Sequence, residues 1–180
     1  MRLSKPSLSS TPWYLKPFFW RQKRIYGQVM NPALIWAKVP KLFLTVASLY
    51  GVINRKSSPL NPVLRSLVTV HVSQINACHF CVDINSATLI KRANSNIKLE
   101  HLQNWQQSDV FSSKEKAALE YAEKITYTDK QVDNVCFKQL KEHFDEKAII
   151  ELTALIAFQN LSSKFNSALD VDSQGFCMRK

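Results

Sequence analysis

Residues Leu64–Leu89 read LRSLVTVHVSQINACHFCVDINSATL. In the first half, Leu64, Leu67, Val68 and Val72, with Val63 just before them, recur at helical spacing and make one apolar face. This predicts a helix from Asn61 to about Gln74. INAC is a short join, and a second helix is expected from near Cys78 to Lys91 or Arg92. The pair Cys78 and Cys81 therefore stands at the start of a helix. A helix N-terminus offers free N–H groups and partial positive charge, and either stabilises a thiolate. The two-residue spacer lets the sulfurs meet within one turn, so the pair can cycle between dithiol and disulfide.

The rest of the chain also reads helical. WYLKPFFWRQKRIYGQV starts after Pro12, with a break expected at Pro17. NPALIWAKV and PKLFLTVASLYGVI each carry a proline at or near the first turn, where a missing N–H costs nothing. SSKEKAALEYAEKITY carries an N-terminal signature with Ser113 as cap and Glu115 in the first turn. DKQVDNVCFKQLKEHF is another helix. DEKAIIELTALIAFQNLSSKFNSAL is the longest and most apolar, expected at the centre of the core. DVDSQGFCMRK reads as an irregular tail. The fold class is all-α.

Composition narrows the functions open to such a chain. Its 180 residues suit one domain with an N-terminal extension, divided here as residues 1–59 and 60–180. Only three Gly are present, so no Gly-rich phosphate loop of the GxxxxGK or GxGxxG type can be built. No apolar run reaches the roughly 20 residues of a spanning helix, and the N-terminus lacks the apolar core of a cleaved signal. Four cysteines are too few for a secreted disulfide scaffold. The expected location is cytoplasmic. Charge is lopsided: the first 60 residues hold ten Lys/Arg and no Asp or Glu, and the remaining residues hold fourteen of each sign. Trp13, Tyr14, Phe18, Phe19, Trp20, Tyr26 and Trp36 share that basic third. It either packs its aromatics on the body or binds a partner or an anionic surface, such as a membrane or nucleic acid. The second option gives a non-catalytic alternative function, a helical oligomer that binds through residues 1–60.

Intracellular CxxC pairs are more often catalytic or metal-binding than structural. Zinc normally takes four ligands. Cys136 and Cys177 are isolated in sequence and no second CxxC or HxxxH exists, so no metal and no cofactor are expected. Two buried thiols without chemistry are the remaining alternative.

The stretch quoted above resembles the carboxymuconolactone decarboxylase-like, alkylhydroperoxidase D-like (AhpD-like) family. FSSKEKAALEYAEKIT and VCFKQLKEHFDEKAIIELTALIAFQNLSSKFNSAL are similar to that family's downstream helices, and the QGFC ending is similar to tails of a peroxidase-related subgroup. The resemblance implies an all-helical, trimeric or hexameric protein with peroxidase-type chemistry. It implies that Cys81 attacks a hydroperoxide or disulfide substrate and that Cys78 resolves the product. A thiol reductant then restores the pair. Two positions depart from the family pattern. The relay glutamate, twelve residues before the first cysteine, is Ser66 here. The relay histidine, four after the second, is Asn85. Neither side chain titrates near neutral pH, which removes general-base help worth typically 10²–10⁴-fold. Thiolate chemistry needs that help least, so weak thiol-dependent turnover is the expectation. Among residues that could substitute, His79 is kept as the candidate because a nearby imidazolium favours a thiolate. His71, Asp83, Glu120, Glu123 and Glu151 read as ordinary polar positions, and Cys177 as a tail thiol.

Overall fold

All of the regular secondary structure in the computed structural model, which describes residues 1–4 and 7–178, is helical. A single 3₁₀ turn (Trp13–Leu15) leads into α1 (Lys16–Tyr26), followed by α2 (Asn31–Trp36), α3 (Pro40–Ile53), α4 (Pro62–Ile75), α5 (His79–Ala93), the short α6 (Ile97–Glu100), α7 (Ser113–Thr126), α8 (Asn134–His143) and α9 (Glu146–Ala168). Among the described residues there is no strand. The all-helical class expected from the sequence is the one observed. Pro17, Pro32, Pro40 and Pro62 all fall in the first turn of a helix. The break expected at Pro17 lies just before it, because proline opens α1 instead of interrupting it. The cap of α7 is Ser112, one residue before the expected Ser113. Only that register puts Glu115 at the third helical position, where it closes a reciprocal capping box with Ser112.

Helix α4 is the hub, packing against α5, α9 and α7. Leu67, Val68, Val70 and Val72 on it are fully buried. Its two sides feed different clusters. Val68 and Val72 join Leu140, Leu152 and Ile156 of α8 and α9. Leu67 and Val70 join Leu89, Leu102 and Leu119. Helix α9 is apolar around most of its circumference because α3, α4, α5, α7 and α8 all touch it.

The first third builds a small cluster of its own from Leu15, Phe19, Leu34, Ala37 and Phe43. Phe19 is completely buried beside Phe43, and Trp36 stacks on Phe165 of α9 with ring centroids 3.7 Å apart. Trp13 and Trp20 stay exposed. No described helix is long and apolar enough to cross a membrane.

His71 sits on the face of α4 turned to α7. Its Nε2 lies 3.1 Å from Glu123 Oε1, and Trp105 Nε1–H donates to the same oxygen at 2.9 Å. Burial holds the His71 imidazole below its ordinary value despite the adjacent carboxylate. Burial alone would raise Glu123, but the Trp105 and Lys130 donors and His71 outweigh it and keep the carboxyl low. Both folded-state values lie below their unfolded ones, so both contributions are present at neutral pH and are lost on acidification. The expected result is a denaturation midpoint that falls as pH drops from 7 to 5. His71→Gln keeps a hydrogen-bonding group and should flatten that fall, as measured by urea titrations at several pH values.

Candidate active site

The join between α4 and α5 places the cysteines. Ala77 adopts a left-handed φ of 49°, a conformation that favours glycine. It closes α4 with bonds from Ala77 N–H to the Gln74 carbonyl and from Cys78 N–H to the Ser73 carbonyl, at 3.0 and 3.1 Å. The chain then reverses, and Cys78 becomes the N-cap of α5. Its Sγ accepts the Cys81 N–H at 3.2 Å. Cys78 and Cys81 are joined in a disulfide, and both are buried.

The two sulfurs have different surroundings. Cys81 lines a cavity of about 480 Å³, and Cys78 does not. Asn166 of α9 donates its Nδ2–H to Cys81 Sγ at 3.3 Å, and its own Oδ1 is buried without a hydrogen-bond partner among the described residues. Around them runs an amide and hydroxyl network. Ser73 Oγ donates to the Thr69 carbonyl at 2.5 Å and accepts from Asn85 Nδ2 at 3.0 Å and Gln159 Nε2 at 3.1 Å. Gln159 also donates to Ser163 at 2.9 Å. A hydroxyl has one proton. With that proton on Thr69, Ser73 can only accept from Asn85, which fixes the orientation of the Asn85 amide.

Cys81, Asn85 and Ser66 line the same cavity. Ser66 is buried, and its Oγ accepts from Arg92 Nη1 at 2.9 Å. A glutamate at that position would therefore face a guanidinium. His79 is exposed at the first position of α5 and does not line the cavity. None of the carboxylates weighed above lines it either. Glu151 is held by Arg55 and Ser58, Glu120 by Lys124, and Glu123 by His71. Asp83 receives the backbone N–H groups of Gln174 and Cys177 at 2.9 and 2.8 Å, which pins the tail to α5. Cys136 is buried on α8, where burial pushes its thiol up, and Cys177 is exposed with its thiol raised by desolvation and Asp83. Among the described residues no three His, Cys, Asp or Glu side chains group closely enough to hold a metal ion.

The sequence reading passed over Ser73, Arg92, Gln159 and Asn166. A signal was present. Ser66, Thr69 and Ser73 on α4 recur at helical spacing, as do Cys81, Asn85, Thr88 and Arg92 on α5 and Gln159, Ser162 and Asn166 on α9. Each is a polar row on one face of a largely apolar helix.

A model of the carboxymuconolactone decarboxylase family matches residues 40–124. The protein YnjA of Escherichia coli (strain K12) is 45% identical over 172 residues, covering 96% of this chain and 94% of YnjA. YdfG of Bacillus subtilis (strain 168) is 32% identical over 115 residues, covering 63% of this chain and 78% of YdfG. A peroxidase-related protein with an alkylhydroperoxidase AhpD core from Ralstonia eutropha JMP134 superposes with a TM-score of 0.88 at 22% identity, covering 98% of this chain and 94% of that one. The debrominase Bmp8 superposes with a TM-score of 0.86 at 23% identity, covering 99% of this chain and 95% of that one.

The Asn166 amide is a direct donor to the Cys81 sulfur, and hydrogen bonds to charged groups contribute about 1.5–3 kcal/mol. Asn166→Ala should slow alkylation of reduced Cys81 by iodoacetamide at neutral pH about tenfold or more, followed by peptide mass spectrometry. An unchanged rate would mean that the amide does not act on the thiolate.

Proposed function

This chain belongs to the carboxymuconolactone decarboxylase family, and from that premise we propose that it is a thiol-dependent oxidoreductase of the alkylhydroperoxidase type. The observation that carries the reading is the asymmetry of the pair. Cys81 opens on the cavity inside a ring of amides, and Cys78 is enclosed at a helix N-terminus.

The chemistry follows from that asymmetry. The reduced Cys81 thiolate attacks the distal oxygen of a hydroperoxide, the O–O bond breaks, and an alcohol leaves with the proton it needs. Cys81 is left as a sulfenic acid. Cys78 then attacks that sulfur, the S–O bond breaks, water leaves, and the disulfide forms. Two thiols are oxidised for each hydroperoxide reduced. To restore the pair, an external thiol attacks the cavity-facing Cys81 sulfur and Cys78 leaves as a thiolate. The N–H groups at the start of α5 favour that leaving group, since a more stable thiolate leaves faster. A disulfide substrate would use the same attack at Cys81.

Asn85 and Asn166 position hydrogen bonds without titrating. Asn166 Oδ1 is free to accept the S–H of protonated Cys81 or the O–H of a bound hydroperoxide. No carboxylate or imidazole lines the cavity, so the attacking thiol loses its proton without a relay. The enzyme is on this reading slower than a relay-equipped relative by about 10²-fold or more.

Fully reduced protein given one equivalent of an organic hydroperoxide should lose two thiols, form one equivalent of the alcohol and show a Cys78–Cys81 disulfide by peptide mapping. Survival of both thiols in excess hydroperoxide would overturn the proposal.

A further inference from the structure

The cavity wall is electrically one-sided. Arg21, Arg65 and Arg92 line it, and among its lining residues there is no Asp or Glu. Neither Arg65 nor Arg92 forms an ion pair with a described carboxylate. The nearby Glu151 is taken by Arg55 and Ser58. Arg65 is buried, donates Nη1–H to the carbonyls of Ile53 and Arg55 at 3.1 and 3.2 Å, and leaves its Nε without a partner among the described residues. Arg92 is exposed, and it donates to the carbonyl of Pro62 and to Ser66. Carbonyls satisfy the donors of the buried Arg65 but do not neutralise its charge, and burying a cation is costly. Burial, with Arg92 beside it, pulls Arg65 below its ordinary value, although the Glu151 carboxylate acts the other way. Tyr50, half exposed, also lines this cavity, and its hydroxyl is pushed up by desolvation and by Tyr26 next to it. It is a neutral donor at physiological pH. The remaining wall is largely apolar and aromatic, with Phe18, Trp36, Phe43, Phe80 and Phe158 contributing.

The cations and the sulfur stand at different levels. Asn85 meets Ser73, and Arg92 meets Ser66. Each step spans seven residues, which is about 10 Å of helix. Cys81 lies one further turn beyond Asn85. We propose that the cavity takes an amphipathic organic anion, with its acidic group on Arg92 and Arg65 and its apolar body extending toward Cys81. The anion–sulfur span is on the order of 10–16 Å, the length of a medium alkyl chain or a two-ring aromatic. This rests on the redox reading for what reacts at Cys81, and it names the class of hydroperoxide or disulfide that is recognised: one bearing a carboxylate or similar anion at its far end.

Binding can be separated from reactivity with unreactive probes on the intact, disulfide-bonded protein. Calorimetry with decanoate and with decanol, its uncharged counterpart, should give tighter binding of decanoate by about tenfold or more at low salt. Arg92→Gln should abolish the preference. Lys91→Gln removes the same charge from the neighbouring exposed position, outside the cavity, and should keep it. Equal affinities for the two probes on the native protein would overturn the proposal. So would a preference that survives Arg92→Gln, or one lost equally in Lys91→Gln. A protein whose thiols ignore hydroperoxide but which prefers decanoate would refute the redox reading and leave this one standing; the opposite pattern would do the reverse.

Discussion

Ser73 has one hydroxyl proton, and the arrangement of the site depends on where it goes. Ser73 is fully buried where α4, α5 and α9 meet. Its proton is committed to the Thr69 carbonyl, so both remaining contacts must be donors, one from each neighbouring helix. Asn85 and Gln159 are those donors. An unpaired polar atom here would cost on the order of 1–3 kcal/mol, so the three helices are held in the one register that pairs them all. That register brings Asn166 to the Cys81 sulfur and Ser66 to Arg92. Apolar packing on α4 supplies most of the driving force for folding, and the serine selects which faces meet.

The first third of the chain completes the cavity. Phe18, Tyr26, Met30, Trp36, Phe43 and Tyr50 come from α1 to α3 and their connections, and they cover the polar rows of α4, α5 and α9. The aromatic content of this segment is thereby explained in part. Trp36 packs on the body, Phe19 packs within the segment beside Phe43, and others wall the cavity. The charge is explained in part too. Arg21 reaches the cavity, where the excess of cations would be matched by an anionic guest.

Much of this was legible in the sequence. Helical periodicity in α4 and the prolines opening α1 to α4 place α3 and α4 to within one residue and α1 and α2 to within about three, because both signals are local. The cysteine pair at the start of α5 is legible for the same reason: spacer and cap lie within a single turn. The rest was not, and the reason is physical. Asn166 is 85 residues from Cys81, and Gln159 is 86 from Ser73. Their contacts exist only once α9 has packed across α4, and nothing local announces them except a polar row inside an apolar helix. Ser66 and Asn85 read as gaps in a relay only when their neighbours are left out. Arg92 makes the serine position cationic in surroundings, and Ser73 turns the asparagine into a fixed structural donor. His79 is adjacent to Cys78 in sequence and exposed in the fold, since neighbours in sequence are about 100° apart around a helix.

In the proposed reaction, access to the cavity, and not the stabilisation of a thiolate at the helix start, decides which sulfur attacks. Dimedone trapping of the sulfenic acid in two single variants tests it most directly. After one equivalent of hydroperoxide, Cys78→Ser should carry one dimedone adduct on Cys81, and Cys81→Ser should carry almost none on Cys78. An adduct forming on Cys78 as fast as on Cys81 would contradict the account, because it would place the reactive sulfur at the enclosed cap.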